Sequence, residues 1–176
     1  MKLLAFAASS SRNSINKTLA TYAAGLVASA DVEVLDLNDY ELPLYSADRE
    51  SELGHPELAK AFLAKIAQSD ALIISFAEHN GSYTAAYKNL FDWCSRIEKK
   101  VFQKKPVVFL STSPGARGGA MVLAAAVASA PFFDGEVKAS LAVPSFYDNF
   151  DVSANRMKND EINQALLGAV QTLLTL

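Results

Sequence analysis

The segment SSSRNSIN, residues 9–16, gathers hydroxyls, two carboxamides and one guanidinium directly behind the apolar run KLLAFAA at 2–8. Neutral donors around a cation are the groups that hold a phosphate, above all where a helix begins beside them. Ser14 is placed to be the N-cap of that helix, and Asn16 lies in its first turn. Unpaired backbone N–H groups and the positive end of the helix dipole would then sit at the strand end. A polar loop with a helix cap accounts for the same residues without any ligand. No G-x-x-x-x-G-K-[ST] occurs in the chain, and no G-x-G-x-x-G follows the apolar run. The segment is therefore neither a Walker A loop nor a dinucleotide fingerprint. Asp36, where that fingerprint would place a ribose-binding acid, then reads as an ordinary strand-end residue.

Two further segments carry groups of this kind. In AEHNGSYTAAYKNLFDW, 77–93, the pair Asn80-Gly81 permits a turn with positive φ, and Glu78 and His79 project from a strand end. A plain strand–helix connection capped by Ser82 is the alternative. In STSPGARGGA, 111–120, glycines and a proline allow close approach of backbone to a ligand, or equally close packing against a neighbouring element. The remaining reactive residues point to no other chemistry. The single Cys94 excludes an intrachain disulfide, and its place beside Trp93 reads as core. Neither His55, just before Pro56, nor His79 has a second ligand at metal spacing. No Ser–His–Asp or Cys–His set is visible.

These segments need elements to position them. Apolar runs at 2–8, 32–37, 71–77, 106–112 and 137–143 are mostly continuous rather than alternating, as strands buried on both faces of a parallel sheet require. Helical patterns intervene from Ser14 onward and at 56–68, 83–98, 118–130 and 159–174. The alternation predicts one α/β domain over 1–176, a three-layer sandwich around a five-stranded parallel sheet. Ligands of such sheets bind beyond the carboxyl ends of the strands, where the three polar segments fall. Hydrophobic residues at 51% and charged residues at 20% are those of a globular chain, and a net charge of −3 speaks against nucleic acid as partner. The apolar stretch from Leu3 to Ala8 is shorter than a leader's core, and no run approaches a membrane span. A cytoplasmic protein is expected.

SSSRNSINKTLA, AEHNGSYTAAYKNLFDW and TSPGARGGA, in this order behind the first, third and fourth strands, resemble the NADPH-dependent FMN reductase family. LPLY at 42–45 and PSFYDNFD at 144–151 extend the resemblance over nearly the whole chain. It implies a flavodoxin-like fold, bound FMN, and NADPH or NADH as co-substrate, with flavin, quinone, azo or similar small molecules as acceptors. By motif position, Ser9, Ser11, Arg12, Ser14 and Asn16 would bind the FMN phosphate. Glu78, His79, Asn80, Gly81, Ser113, Gly115 and Gly118 would line the ring. Many relatives carry G-S-x-R where this chain has Ala8-Ser9-Ser10-Ser11-Arg12. Others carry Pro-x-Tyr-Asn where it has Ala77-Glu78-His79-Asn80, so His79 stands in place of a tyrosine.

The helical pattern at 83–98 is apolar around more than one face, and GGAMVLAAAVASA at 118–130 is almost all small. Contact between two copies, as a homodimer or tetramer, and deep burial against the sheet are the two explanations. The connection 38–55 is too long for a plain turn and suggests a lid or an arm toward a partner subunit. Competing functions are a flavodoxin-like electron carrier, which would be more acidic, and a non-catalytic FMN-binding module. A receiver domain would need acids after strand one and an Asp after strand three, and Ala8-Ser9 and Ala77-Glu78 occupy those places.

Overall fold

The computed structural model describes residues 1–174. Strands β1 (Lys2–Ala8), β2 (Asp31–Leu35), β3 (Ala71–Phe76), β4 (Lys105–Thr112) and β5 (Gly135–Val143) form one parallel sheet in the order β2-β1-β3-β4-β5. β1, β3 and β4 lie inside the sheet and are buried almost throughout, which is why their sequences run apolar without alternation. β2 and β5 are the edges and carry the exposed positions. The sheet is thus the expected α/β sandwich.

Helices α1 (Ile15–Gly25), α2 (Ala47–Leu53), α3 (Glu57–Gln68), α4 (Ala85–Ile97), α5 (Ala120–Ser129), α6 (Phe146–Asn149) and α7 (Asp160–Gln171) complete the layers. Side chains alternate across each strand, so two separate cores result. Leu3, Ala5, Ile73 and Val108 pack with Leu19 and Ala23 of α1 and Leu166 and Val170 of α7. Leu4, Phe6, Ile74 and Phe109 pack with Phe62 of α3, Trp93 of α4 and Val122 of α5. Each buried Val, Leu, Ile or Phe among them stabilises the fold by about 1.5–3 kcal/mol relative to exposure.

The local details differ in places from the sequence reading. α4 is capped by Thr84, whose Oγ1 accepts the Tyr87 N–H at 3.2 Å, and not by Ser82. Ser82 instead closes a turn two residues earlier. The connection 38–55 is no free lid. It forms a 3-10 turn at 37–40 and helix α2, and it is fastened to α4 of its own chain. Trp93 Nε1 donates to Pro43 O at 2.8 Å, Asn89 Oδ1 accepts the Tyr45 N–H at 2.8 Å, and the Tyr45 ring meets Trp93 edge-on at 5.1 Å. After β5, residues 144–157 make an excursion: α6, then a hairpin of β6 (Phe150–Asp151) and β7 (Arg156–Met157). Cys94 is buried, and burial pushes its thiol up to about 12, so it is the inert core residue expected. Among the described residues no helix is long and apolar enough to cross a membrane, and no cluster of three or more His, Cys, Asp or Glu could hold a metal.

Candidate functional site

The parallel order β1-β3-β4 brings the loops after these three neighbouring strands to one sheet edge. A cleft of about 230 Å³ lies between them. Ser9, Ser11, Ser14 and Asn16 line it from the first loop, Glu78 and His79 from the second, and Ser113 from the third. Arg12 lies in an adjoining cleft. Asn80, Gly81, Gly115 and Gly118 belong to the same loops but do not line the central cleft.

The first loop is built to leave donors free. Ser9 Oγ accepts the Ser11 N–H at 3.2 Å, and Ser14 Oγ accepts the Lys17 N–H at 3.2 Å as the α1 cap. The N–H groups of residues 12–16 find no acceptor among the described residues. Charge is distributed unevenly around them. Lys17 is 2.5 Å from Asp36, and that bond, together with the Asn38 amide, holds the Asp36 carboxyl down at about 2. Arg12 has no ion pair among the described residues and is exposed. Asp36 therefore neutralises Lys17 and leaves Arg12 as the available cation of this loop.

Beneath the loop sits a layer of buried hydrogen bonds that the sequence did not reveal. Asn16 Nδ2 donates to Thr112 O at 3.0 Å, and its Oδ1 accepts both the Thr112 N–H at 3.0 Å and the Ser75 hydroxyl at 2.7 Å. One carboxamide thus ties α1 to the tips of β3 and β4. Thr84 donates to Ala8 O at 2.9 Å, joining the start of α4 to the end of β1. No buried polar side-chain atom among the described residues lacks a partner. Asn16 was expected as a phosphate ligand, yet its side chain is spent on this frame, and only its backbone N–H remains for a ligand. Ser75, a lone hydroxyl in the apolar run ALIISF, was the one signal of the frame present in the sequence.

In the second loop, His79 and Ser82 exchange backbone bonds at 3.0 and 3.1 Å across Asn80 (φ 52°) and Gly81 (φ 76°). Two consecutive positive φ values make this the tight turn anticipated from Asn-Gly. Glu78 accepts the Val122 N–H at 2.8 Å in the first turn of α5, where the helix dipole favours a carboxylate. In the third loop Ser111 Oγ donates to Gly118 O at 2.7 Å, and Thr112 Oγ1 donates to Val143 O at 2.7 Å. Gly118 (φ 57°) presses on β5: a Cβ there would stand 2.6 Å from Val143 O. The packing explanation holds for this glycine. Gly115 is different, since it is exposed and a Cβ would meet only Ser113 Oγ at 3.8 Å. Tyr147, on the excursion after β5, closes one side of the cleft and was not foreseen.

The donor set suits a phosphate monoester at the first loop: free amides, hydroxyls and Arg12, with no carboxylate among them. Glu78, the acid of the cleft, stands in the second loop and is already paired with α5. A parallel sheet in this order, with layered helices and a cleft over the ends of β1, β3 and β4, defines a flavodoxin-like α/β protein. Residues 1–145 match the family described as NADPH-dependent FMN reductase, and the chain belongs to that family. It is 38% identical over 123 residues to a 2-hydroxy-1,4-benzoquinone reductase of Burkholderia sp, covering 69% of this chain and 65% of that one. A quinone reductase of Escherichia coli K12 is 37% identical over 95 residues, covering 53% of this chain and 50% of the relative. The matched stretch thus spans about half to two-thirds of the length of these relatives. Among solved structures, the flavoenzyme NAD(P)H:(acceptor) oxidoreductase FerB of Paracoccus denitrificans superposes with a TM-score of 0.77 at 22% identity. That match covers 99% of this chain and 95% of that one.

Proposed function

We propose that the 176 residues work as one FMN-binding domain that passes an electron pair from NADPH or NADH to a small acceptor of the quinone, flavin or azo class. The observation that carries this reading is the convergence of the three loops on one cleft whose first loop offers unpaired amides and an unpaired Arg12. Ser9, Ser11, Ser14, Arg12 and the backbone of Asn16 hold the phosphate. His79 and Ser113 border the ring; the Asn80-Gly81 turn and Gly115, outside the immediate lining of the cleft, extend that border, and Glu78 and Gly118 fix it through Val122 and Val143. The names of the relatives support the same acceptor class.

Bound FMN supplies the two-electron chemistry, which is why no nucleophile or metal is needed. The chain's own contribution is positioning. The frame of Asn16, Ser75, Thr112 and Thr84 fixes the loop backbones so that their amides need not reorganise around charge. The N–H groups of Gly115 and Ala116 also lack acceptors among the described residues, and they stabilise negative charge at the border they form. The cleft is open, so donor and acceptor occupy it in turn. Anaerobic NADPH should bleach the yellow holoprotein, and double-reciprocal lines should run parallel when NADPH and a quinone are varied together. A flavin-loaded protein that oxidises neither nicotinamide with any acceptor, yet accepts electrons from a reduced protein, is an electron carrier instead.

The working form is a cytoplasmic homodimer or tetramer built on α4 and α5. Between these helices runs an apolar groove of about 340 Å³ lined by Phe76, Tyr83, Tyr87, Phe91 and Phe133, with Phe132 exposed close by. Half-buried Tyr83, Phe91 and Phe133, with exposed Phe132 and Met121, are the apolar surface a second copy would cover. Light scattering that returns a monomer with flavin bound removes the proposal.

A further inference from the structure

Beside the cleft already described lies a second one of about 540 Å³. The two share Asn13, Ser14, Ile15 and Tyr147, so they form one continuous groove, joined at the phosphate end of the proposed flavin site. One wall of the second cleft is the outer face of α1, with Thr18 and Thr21. The other is the excursion after β5, with Tyr147, Val152 and Asn155. FMN ends at its phosphate. Nothing in FMN fills this extension.

The excursion is held with unusual care. It leaves β5 through Ser145 at φ 44°, a left-handed conformation that a non-glycine residue adopts at a cost. The Ser145 N–H donates to Gly115 O at 2.9 Å and the Phe146 N–H to Ser113 O at 3.0 Å, so the turn is bonded directly to the third loop. Asn149 Nδ2 donates to Pro144 O at 2.8 Å, Lys158 Nζ to Tyr147 O at 3.1 Å, and Phe146 stacks on Phe150 at 5.0 Å. This rigid support ends in an aromatic side chain left in water. Tyr147 is 60% exposed and its hydroxyl has no partner among the described residues; Val152 is 57% exposed. The remaining walls carry the unpaired Arg12, Lys17 (already paired with Asp36) and neutral groups, and no carboxylate lines the cleft.

An exposed, prepositioned ring with an aliphatic neighbour, polar amides and hydroxyls, and one free cation match a nucleobase attached to a phosphate. We infer that the second cleft is an adenylate subsite, with Tyr147 and Val152 as the platform for the base and Arg12, at the junction of the two clefts, as a cation that the adenylate phosphate shares with the flavin phosphate. The inference rests on the FMN reading of the first cleft, because it is continuity with that cleft that makes the extension part of a dinucleotide site. Two dinucleotides present an adenylate here: NADPH as the electron donor, or FAD in place of FMN.

The test titrates 5′-AMP, which is redox-inert, into FMN-loaded protein by calorimetry. Thr21 is exposed on α1 and lines only the second cleft, so Thr21→Glu places a carboxylate there without touching the first. Binding of AMP at up to millimolar concentration, weakened about 10-fold or more in both Thr21→Glu and Tyr147→Ala, is the expected result. Failure of AMP to bind, or equal binding by both variants, overturns the inference. The source is read separately. FAD binding the apoprotein about 10-fold more tightly than FMN, an advantage erased by Thr21→Glu, assigns the subsite to a flavin dinucleotide. Equal binding of FAD and FMN, with KM for NADPH raised about 10-fold in Thr21→Glu at unchanged flavin content, assigns it to the nicotinamide dinucleotide. If neither dinucleotide responds, the subsite is not one. A protein that retains no FMN defeats the functional reading instead, and AMP titration of that apoprotein still decides the second cleft.

Discussion

The turn from β1 into α1 and the turn from β4 into α5 occupy equivalent places at the same sheet edge, yet they are made in opposite ways. The first is rich in side chains and is capped by Ser14, and its backbone stays in conformations open to any residue. The second begins its helix at Gly119 with φ 76° and no side-chain cap, and Gly118 before it also lies at positive φ. The first turn leaves its amides and Arg12 free for a ligand. The second gives up side chains so that its backbone can press against Val143 and Ser111. Similar sequence cues, small polar residues or glycines behind an apolar run, therefore mean different things. Where amides and a cation are left unpaired, the turn is open to a ligand; where a Cβ would collide, it serves the fold.

The contrast can be broken from beneath. Asn16→Ala strands the Ser75 hydroxyl and both backbone groups of Thr112 in the buried frame, and should cost about 3–5 kcal/mol of stability, read as a lower urea midpoint. A change below about 1 kcal/mol would mean that the frame is not what holds the loops together. Gly118→Ala meets the Val143 carbonyl and a left-handed backbone together, and is expected to destabilise by about 2–4 kcal/mol. The same substitution at Gly115, where space is open, should cost well under about 1 kcal/mol, and equal losses at the two sites would erase the distinction.

On the binding side, Arg12→Ala should leave the urea midpoint within about 0.5 kcal/mol of wild type. The same change should weaken FMN by about 10- to 100-fold, as loss of a charged hydrogen bond to phosphate does. Intact affinity in fluorescence titration would remove Arg12 from the site. The smallest effect concerns Asp36, whose carboxyl lies below its ordinary value because Lys17 bonds to it. Its contribution is full above the ordinary carboxylate value of 3.8 and is lost as pH falls toward about 2. Partial exposure limits it to about 1 kcal/mol, measured as the pH-dependent difference in unfolding between wild type and Asp36→Asn.

Much of the local structure of the candidate site was legible because strand–helix turns announce themselves locally. Ser14 as cap, the Asn80-Gly81 turn and the polar run 9–16 are written in contiguous residues, and each forms where it was expected. Asn16 shows the limit. Its neighbours made it a plausible ligand, while the groups that claim its side chain, Ser75 and Thr112, lie 59 and 96 positions away. Thr84 bonding to Ala8 and Tyr147 reaching the cleft were hidden for the same reason.

By itself the sequence determined the layer architecture, since continuous apolar runs separated by amphipathic helices bury both faces of a sheet in one way only. It also determined the kind of group each loop could offer. Tertiary structure decided which of those groups are free. Parallel strands close the distance between residues far apart in the chain, and a donor's availability depends on whether such a distant acceptor has already taken it. Asn16 is taken and Arg12 is not.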